Sequence, residues 1–228
     1  MQSINNPQAF EALTRGARIL EQDHFGIKVM RLPDDRILKL FRRKRLLSSQ
    51  IWSPLAVRFK QNSEALIRRG IPTVRIDQIF ELPHLHRQAV LYQALPGSTL
   101  RDWIDQRADE EVDLRQQIEA YAAFVAQLHD CGILFRSLHL GNVLVTNDGT
   151  LALIDIADMT LRRSGALSTA QRKRNFKHIT RYPIDRKHLL KAGVDIFAHA
   201  YLNATCLSAK VQWVLEQALK RQLSTTTR

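Results

Sequence analysis

The sequence predicts an α+β fold in two lobes, a small antiparallel β lobe followed by a larger, mostly helical lobe. Three observations predict it. Short apolar runs broken by turn residues fill positions 17–41. Composition changes at Pro96-Gly97. Beyond that break, apolar residues recur at three- and four-residue spacing, with one strong hairpin signal among them. The expected lobes are residues 1–95 and 96–228.

Taken in order, Ala17–Glu21 reads as a strand, Asp23-His24-Phe25-Gly26 as a turn and Ile27–Leu32 as the returning strand. Pro33-Asp34-Asp35 turns the chain into a third strand, Arg36–Phe41. Ser53–Gly70 reads as a helix, because Leu55, Phe59, Leu66 and Ile67 recur at helical spacing and Gly70 before Ile71-Pro72 ends it. Val74–Phe80 and Gln88–Gln93 read as two more strands. Past the break, Thr99–Arg107 and Leu114–Asp130 read as helices. The second carries Ile118, Tyr121, Ala122, Val125 and Leu128 as an apolar stripe. Asn142–Thr146 and Leu151–Ile156 are short apolar runs joined by Asn147-Asp148-Gly149, residues that tolerate positive φ and so favour a hairpin. Most of the remaining chain reads as helix, most clearly Val194–Leu202 and Val211–Leu223.

The 228 residues hold 34 Lys plus Arg against 22 Asp plus Glu, a net charge of +12, and 45% of them are hydrophobic. That balance excludes disorder, which needs low hydrophobicity and high charge together. No run approaches the roughly 18 apolar residues of a membrane span. The opening MQSINNPQAFEALTRGARIL has no basic start followed by an apolar run, so a cytoplasmic protein is expected. Cys131 and Cys206 are too few for a disulfide scaffold or a multi-cysteine metal cluster. The surplus of cations calls for an anionic partner: nucleic acid, an acidic membrane surface or a phosphorylated substrate.

The segment richest in chemistry contains Phe135-Arg136-Ser137-Leu138-His139-Leu140-Gly141-Asn142. Thirteen positions after Asn142 comes Asp155, in Leu153-Ile154-Asp155-Ile156-Ala157-Asp158. A loop, a hairpin and a second loop in this order set Asn142 and Asp155 side by side. An amide oxygen and a carboxylate are hard ligands for Mg²⁺, which keeps its other positions for water and phosphate oxygens.

This pattern resembles the catalytic loop and metal-binding loop of protein-kinase-like phosphotransferases. Its Leu-His-x-Gly-Asn wording is closest to the aminoglycoside and choline kinase branch and to the bacterial lipopolysaccharide-core sugar kinases. Nearly the whole chain resembles small proteobacterial proteins of the toluene-tolerance or lipopolysaccharide-kinase-like kind. The resemblance implies ATP and Mg²⁺ as cofactors, a nucleotide-binding lobe over 1–95, and catalytic and metal loops within 96–228. Lys39, in Ile37-Leu38-Lys39-Leu40-Phe41, matches the strand lysine that contacts nucleotide phosphates, and Glu64 matches the helix glutamate that pairs with it. Tyr92, Gln93 and Ala94 match the hinge that receives an adenine ring through backbone groups. Asn142 and Asp155 match the metal ligands, while Arg136 and Ser137 would face the acceptor. His139 matches a loop histidine that is often structural, and Asp158 reads as a helix cap or solvated loop residue.

Two departures from the family stand out. Ser137 falls where the catalytic aspartate orients the acceptor hydroxyl and takes its proton. A serine hydroxyl can hydrogen-bond but is a very poor base, and general-base help contributes about 10²–10⁴-fold. Positioning and charge stabilisation supply most of the catalysis of phosphoryl transfer. The expected function is therefore an ATP-dependent phosphotransferase acting on a lipopolysaccharide-core sugar or related small acceptor in envelope biogenesis. The alternative is a catalytically impaired pseudokinase that binds nucleotide or a partner as a regulator. The second departure is the turn before Ile27, which has one glycine, Gly26, where phosphate-covering loops have two or three.

The basic residues are concentrated. Arg162, Arg163, Arg172, Lys173, Arg174, Lys177, Arg181, Arg186, Lys187 and Lys191 lie in one stretch with a single acid, Asp185. Arg42-Arg43-Lys44-Arg45 forms a second cluster. The expected partners are a phosphorylated saccharide or lipopolysaccharide core and an anionic inner-membrane surface, where each basic residue contributes roughly 1 kcal/mol. The second of these would make the protein peripheral at the inner membrane. Nucleic acid is disfavoured, since only Phe176 and Tyr182 interleave with the cations.

Overall fold

The computed structural model describes residues 1–42, 54–107 and 111–224. Ser53 and the Arg43, Lys44 and Arg45 of the second basic cluster lie outside these described residues. The chain divides into two compact units, Met1–Pro96 and Gly97–Arg228.

The first unit opens with a short strand, β1 (Gln2–Ser3), and a helix, α1 (Pro7–Thr14). The helix begins where Asn6 Oδ1 accepts the Gln8 N–H at 2.9 Å and Pro7 pre-sets φ. Asp23 Oδ1 accepts the Phe25 N–H at 2.8 Å, and Gly26 takes a φ of 106°, so the chain reverses between β2 (Arg18–Asp23) and β3 (Gly26–Arg31). A second turn leads into β4 (Arg36–Arg42). Helix α2 (Leu55–Arg68) comes next, then β5 (Ile76–Leu82) and β6 (Arg87–Gln93). Val74, read as the start of β5, instead gives its carbonyl to Ser63 Oγ of α2 at 2.5 Å.

The six strands form one sheet in the order β1-β5-β6-β4-β3-β2, antiparallel except for β1 with β5. Period-two alternation gives the sheet two apolar faces. On one, Met30, Leu38, Leu40, Phe80 and Leu91 are buried, with Phe10 and Leu13 of α1 packed against them. On the other, the Phe59 ring of α2 lies 5.7 Å from Phe41 and 5.9 Å from Tyr92.

The second unit is mostly helical. Its elements are β7 (Gly97–Thr99), α3 (Leu100–Gln106), α4 (Glu111–Asp130), β8 (Ile133–Phe135), β9 (Val143–Thr146), β10 (Leu151–Leu153) and β11 (Met159–Leu161), then α5 (Thr169–Ile179), α6 (Pro183–Lys191), α7 (Val194–Asn203) and α8 (Ala209–Ser224). The apolar stripe of α4 is buried as its spacing predicts, and Tyr121 meets Phe197 of α7 at 5.7 Å. Gly97 does more than break the chain. It pairs with Thr146 in the β10-β9-β7 sheet, and a Cβ there would fall 2.1 Å from the Val145 carbonyl oxygen. The hairpin forms at Asn147-Asp148-Gly149, where Asp148 Oδ1 accepts the Thr150 N–H at 3.1 Å and Gly149 takes a φ of 82°. No described helix is long and apolar enough to cross a membrane.

Candidate active site

Buried polar groups have to be paired, and in the second unit that requirement builds the support for one loop. His129 at the end of α4, Arg172 and Asn175 of α5, and Tyr201 of α7 are all at most 1% exposed. His129 Nδ1 lies 2.8 Å from the Tyr201 hydroxyl, and its Nε2 lies 3.1 Å from Asn175 Oδ1. Arg172 donates to the Tyr201 hydroxyl at 2.9 Å, to the Leu167 carbonyl at 3.1 Å and to Asp130 at 2.6 Å. Asn175 Nδ2 donates to the carbonyl of Phe135, the last residue of β8, at 2.7 Å. Burial depresses the His129 pKa to about 3, with Arg172 adding to the effect, and pushes the Tyr201 phenol up to about 12. Arg172 is therefore a cation of the basic stretch that does not reach the surface. Its charge is interior, matched by Asp130.

The loop after β8 carries the predicted site. Arg136 N–H donates to the Asp158 carbonyl at 3.1 Å, and the two half-exposed side chains approach to 3.9 Å. The Ser137 carbonyl accepts from the His139 N–H at 2.9 Å and from Asn142 Nδ2 at 2.9 Å. With its amide nitrogen engaged there, Asn142 presents its amide oxygen as the end suited to a cation. The Asn142 carbonyl accepts the Ile154 N–H at 3.0 Å, which sets Asp155 next to Asn142. Asp155 adopts a φ of 53°. That left-handed conformation costs a non-glycine residue roughly 1–2 kcal/mol and is characteristic of functional positions. It also ends β10 at Leu153, short of the Ile156 that the apolar run suggests. An amide oxygen and a carboxylate on residues brought together in this way are the kind of donor set that suits Mg²⁺.

The loop is held from its other side by Asp185, which the sequence reading passes over. Its fully buried carboxylate accepts from Arg101 Nε at 2.7 Å, from Arg101 Nη2 at 3.0 Å and from the Leu140 N–H at 3.2 Å. A Cβ on Gly141 would stand 3.0 Å from Arg101 Nη1, so glycine lets the guanidinium close onto the loop. The Tyr182 ring meets His139 edge-on at 4.9 Å, with Arg101 and Arg181 at 5.5 and 5.8 Å from its centre. Burial lowers the His139 pKa, and Arg101 and Arg181 add to this against Asp185 and Asp155. A signal for Asp185 exists in the sequence: it is the sole acid among ten cations.

In the first unit, Lys39 lies half-buried on β4, an interior strand, paired with Val29 and Val90. Glu64 is on the exposed side of α2, 3.9 Å from Lys60. Tyr92 is buried, Gln93 pairs with Arg36 on the neighbouring strand, and the Ala94 N–H donates to the Asp35 carbonyl at 3.4 Å. The glycine-poor turn between β2 and β3 is held by two arginines that sequence reasoning missed. Arg87 donates to the carbonyls of Phe25 and Ile27, and the Arg42 guanidinium lies 3.4 Å over the Phe25 ring. Each unit thus holds its own part of the predicted set: Lys39 on β4 beside Tyr92 and Gln93 of β6, with Ala94 just past that strand and Glu64 out beside Lys60 on α2, and Arg136, Ser137, Asn142 and Asp155 around one loop.

Residues 36–201, from the start of the Lys39 strand to Tyr201, match the lipopolysaccharide kinase (Kdo/WaaP) family. The chain belongs to that family. No curated protein is significantly similar to it. The fold of this lipopolysaccharide kinase family member is the α+β, kinase-like fold that the sequence predicts. The matched span includes Tyr92-Gln93-Ala94, both loops and the buried support beneath them.

Proposed function

We propose that this member of the lipopolysaccharide kinase family transfers phosphate from ATP to a lipopolysaccharide-core sugar. The observation that supports this most directly is the pairing of Asn142 and Asp155, with the Asn142 amide anchored on Ser137 and the Asp155 backbone held in a strained conformation. Bound Mg-ATP would supply the phosphoryl group and neutralise charge as it transfers. Lys39 would contact the nucleotide phosphates, and the backbone of Tyr92, Gln93 and Ala94 would receive the adenine. Arg136 and Ser137 would face the acceptor. The Ser137 hydroxyl can hydrogen-bond the acceptor but does not take its proton, so turnover should be slower than with a carboxylate by about 10²–10⁴-fold. The test is Mg²⁺-dependent transfer from ATP to purified core oligosaccharide. Transfer by the wild type and its loss in Asp155→Ala is the expected result, and no transfer by the wild type overturns the reading.

Ser137 itself favours a second reading, a nucleotide-binding regulator of envelope assembly with impaired catalysis. Ser137→Asp separates the two. A gain of two to four orders of magnitude supports impairment, and a wild type as active as the variant refutes it. Peripheral binding to the anionic inner-membrane surface accompanies either reading. It is supported by Arg162, Arg163, Lys173, Lys177, Lys187 and Lys191, all exposed. Co-sedimentation with anionic but not neutral vesicles tests it.

A further inference from the structure

Arg174 and His178 lie four residues apart on α5 and so share one side of it, and Arg181 follows two residues beyond the helix end at Ile179. The bond from Asn175 to the Phe135 carbonyl fixes α5 against the strand that ends one residue before Arg136. Arg174 and Arg181 are exposed, and neither forms an ion pair among the described residues. Arg174, Arg181 and Arg136 are all near enough to His178 to lower its pKa further once burial has done so. Asp158 opposes them there and already lies 3.9 Å from Arg136. His178 Nε2 is buried with no hydrogen-bond partner among the described residues. Arg174 stands one turn before His178 on α5, Arg136 follows the carbonyl that Asn175 holds, and Arg181 is 5.8 Å from the Tyr182 ring that meets His139, so three guanidinium groups converge on the loop that carries Ser137. Guanidinium forks match the two-oxygen edge of a phosphate or carboxylate.

We propose that Arg136, Arg174, His178 and Arg181 form a subsite for an anionic substituent, phosphate or carboxylate, of the acceptor sugar. The proposal rests on the acceptor class put forward under the proposed function. It gives Ser137 a physical reason: a carboxylate at that position would repel an acceptor held by its own negative charge. The subsite takes over the orienting part of the missing carboxylate's work, though not its proton.

Calorimetric titration with core oligosaccharide, without nucleotide, tests the subsite independently of turnover. The ligands are the native oligosaccharide, a dephosphorylated preparation and a carboxyl-reduced one. The proteins are the wild type, the double variant Arg174→Gln/Arg181→Gln, and Lys191→Gln as an exposed cation outside the cluster. Unchanged melting of the double variant shows that it is folded. The expected loss is about tenfold per guanidinium, so roughly 100-fold in the double variant. One of the two treatments should reproduce that loss in the wild type, identifying the anion, and should leave the double variant indifferent. No binding of native oligosaccharide by the wild type overturns the subsite. So does wild-type affinity in the double variant, an equal loss in Lys191→Gln, or indifference of the wild type to both treatments. Binding that depends on the arginines without phosphate transfer would keep the subsite and remove the kinase reading. Transfer that ignores the arginines would do the reverse.

Discussion

Removing the Asp185 carboxylate should loosen the loop that carries Ser137 and Asn142. Asp185→Ala deletes the acceptor of three hydrogen bonds at once, two from Arg101 and one from the Leu140 N–H. It leaves the Arg101 guanidinium facing a gap and a backbone donor unpaired in the interior. Breaking a buried ion pair from one side costs about 3–5 kcal/mol. Arg101 is 29% exposed, so water can recover part of its solvation, and the expected loss is at the lower end, about 3 kcal/mol. For a chain of this size each 1 kcal/mol corresponds to about 2–4 °C, giving a fall in Tm of about 6–12 °C. Arg101→Ala leaves the carboxylate buried with the Leu140 N–H but without its counter-charge, with a similar expected loss. The double variant removes both charges and should cost less than the sum of the singles by about 2 kcal/mol. Urea and thermal unfolding of these four proteins measure the cycle. An Asp185→Ala protein within about 0.5 kcal/mol of the wild type, or strict additivity, would refute the argument.

The remaining predictions concern proton, backbone and turn. His129 has its pKa depressed to about 3 from the ordinary 6.5, so in acid the unfolded chain binds a proton before the folded one does. Its contribution is fully present above about pH 6.5 and is lost by up to about 1.4 kcal/mol per pH unit as pH falls toward 3. His129→Gln should flatten urea-unfolding stability between about pH 7 and pH 5, and an unchanged slope contradicts this. Gly97→Ala should cost about 3 kcal/mol or more, because the added carbon meets the Val145 carbonyl at 2.1 Å and φ is 137°. Equal denaturation midpoints for the two proteins would show that β7 can shift without penalty. Asp155→Gly should be about 1 kcal/mol more stable than Asp155→Ala, since only glycine takes a φ of 53° freely, while both should lose the Mg²⁺-dependent thermal shift with ATP. Equal stability of the two would mean that the backbone there is unstrained.

The features legible in the sequence are those that neighbouring residues decide among themselves. The turns at Asp23–Gly26 and Asn147–Gly149 arise from side chains that cap their own backbone and glycines that take positive φ. The α4 stripe arises from periodicity alone. Asn142 and Asp155 can be paired on paper because one hairpin joins them. Helix α1 is not legible in the same way. Its anchors are two partly buried side chains, Phe10 and Leu13, which pack only once the sheet exists. Arg101 and Asp185 stand 84 positions apart, and no local pattern announces their meeting. Arg172 is indistinguishable by composition from the exposed Lys173 beside it, and only its position on the inner face of α5 separates them.

The hydrogen bonds beneath the loop run in a single direction. Arg172 can only donate, so the Tyr201 oxygen accepts from it and passes its own proton to His129 Nδ1. The neutral imidazole then carries its hydrogen on Nε2 and donates to Asn175 Oδ1, and the amide nitrogen donates onward to Phe135. The Phe135 carbonyl, which can only accept, thus fixes the orientation of an asparagine and through it the tautomer of a histidine, and the charge of Arg172 at the other end agrees with that order. Tyr201→Phe deletes one oxygen atom and leaves Nδ1 without its donor, yet the tautomer should hold, because the Phe135 carbonyl still turns Asn175 Oδ1 toward Nε2. Imidazole ¹⁵N shifts that show a mixture of tautomers in that variant would mean that the direction is imposed from the Arg172 end instead.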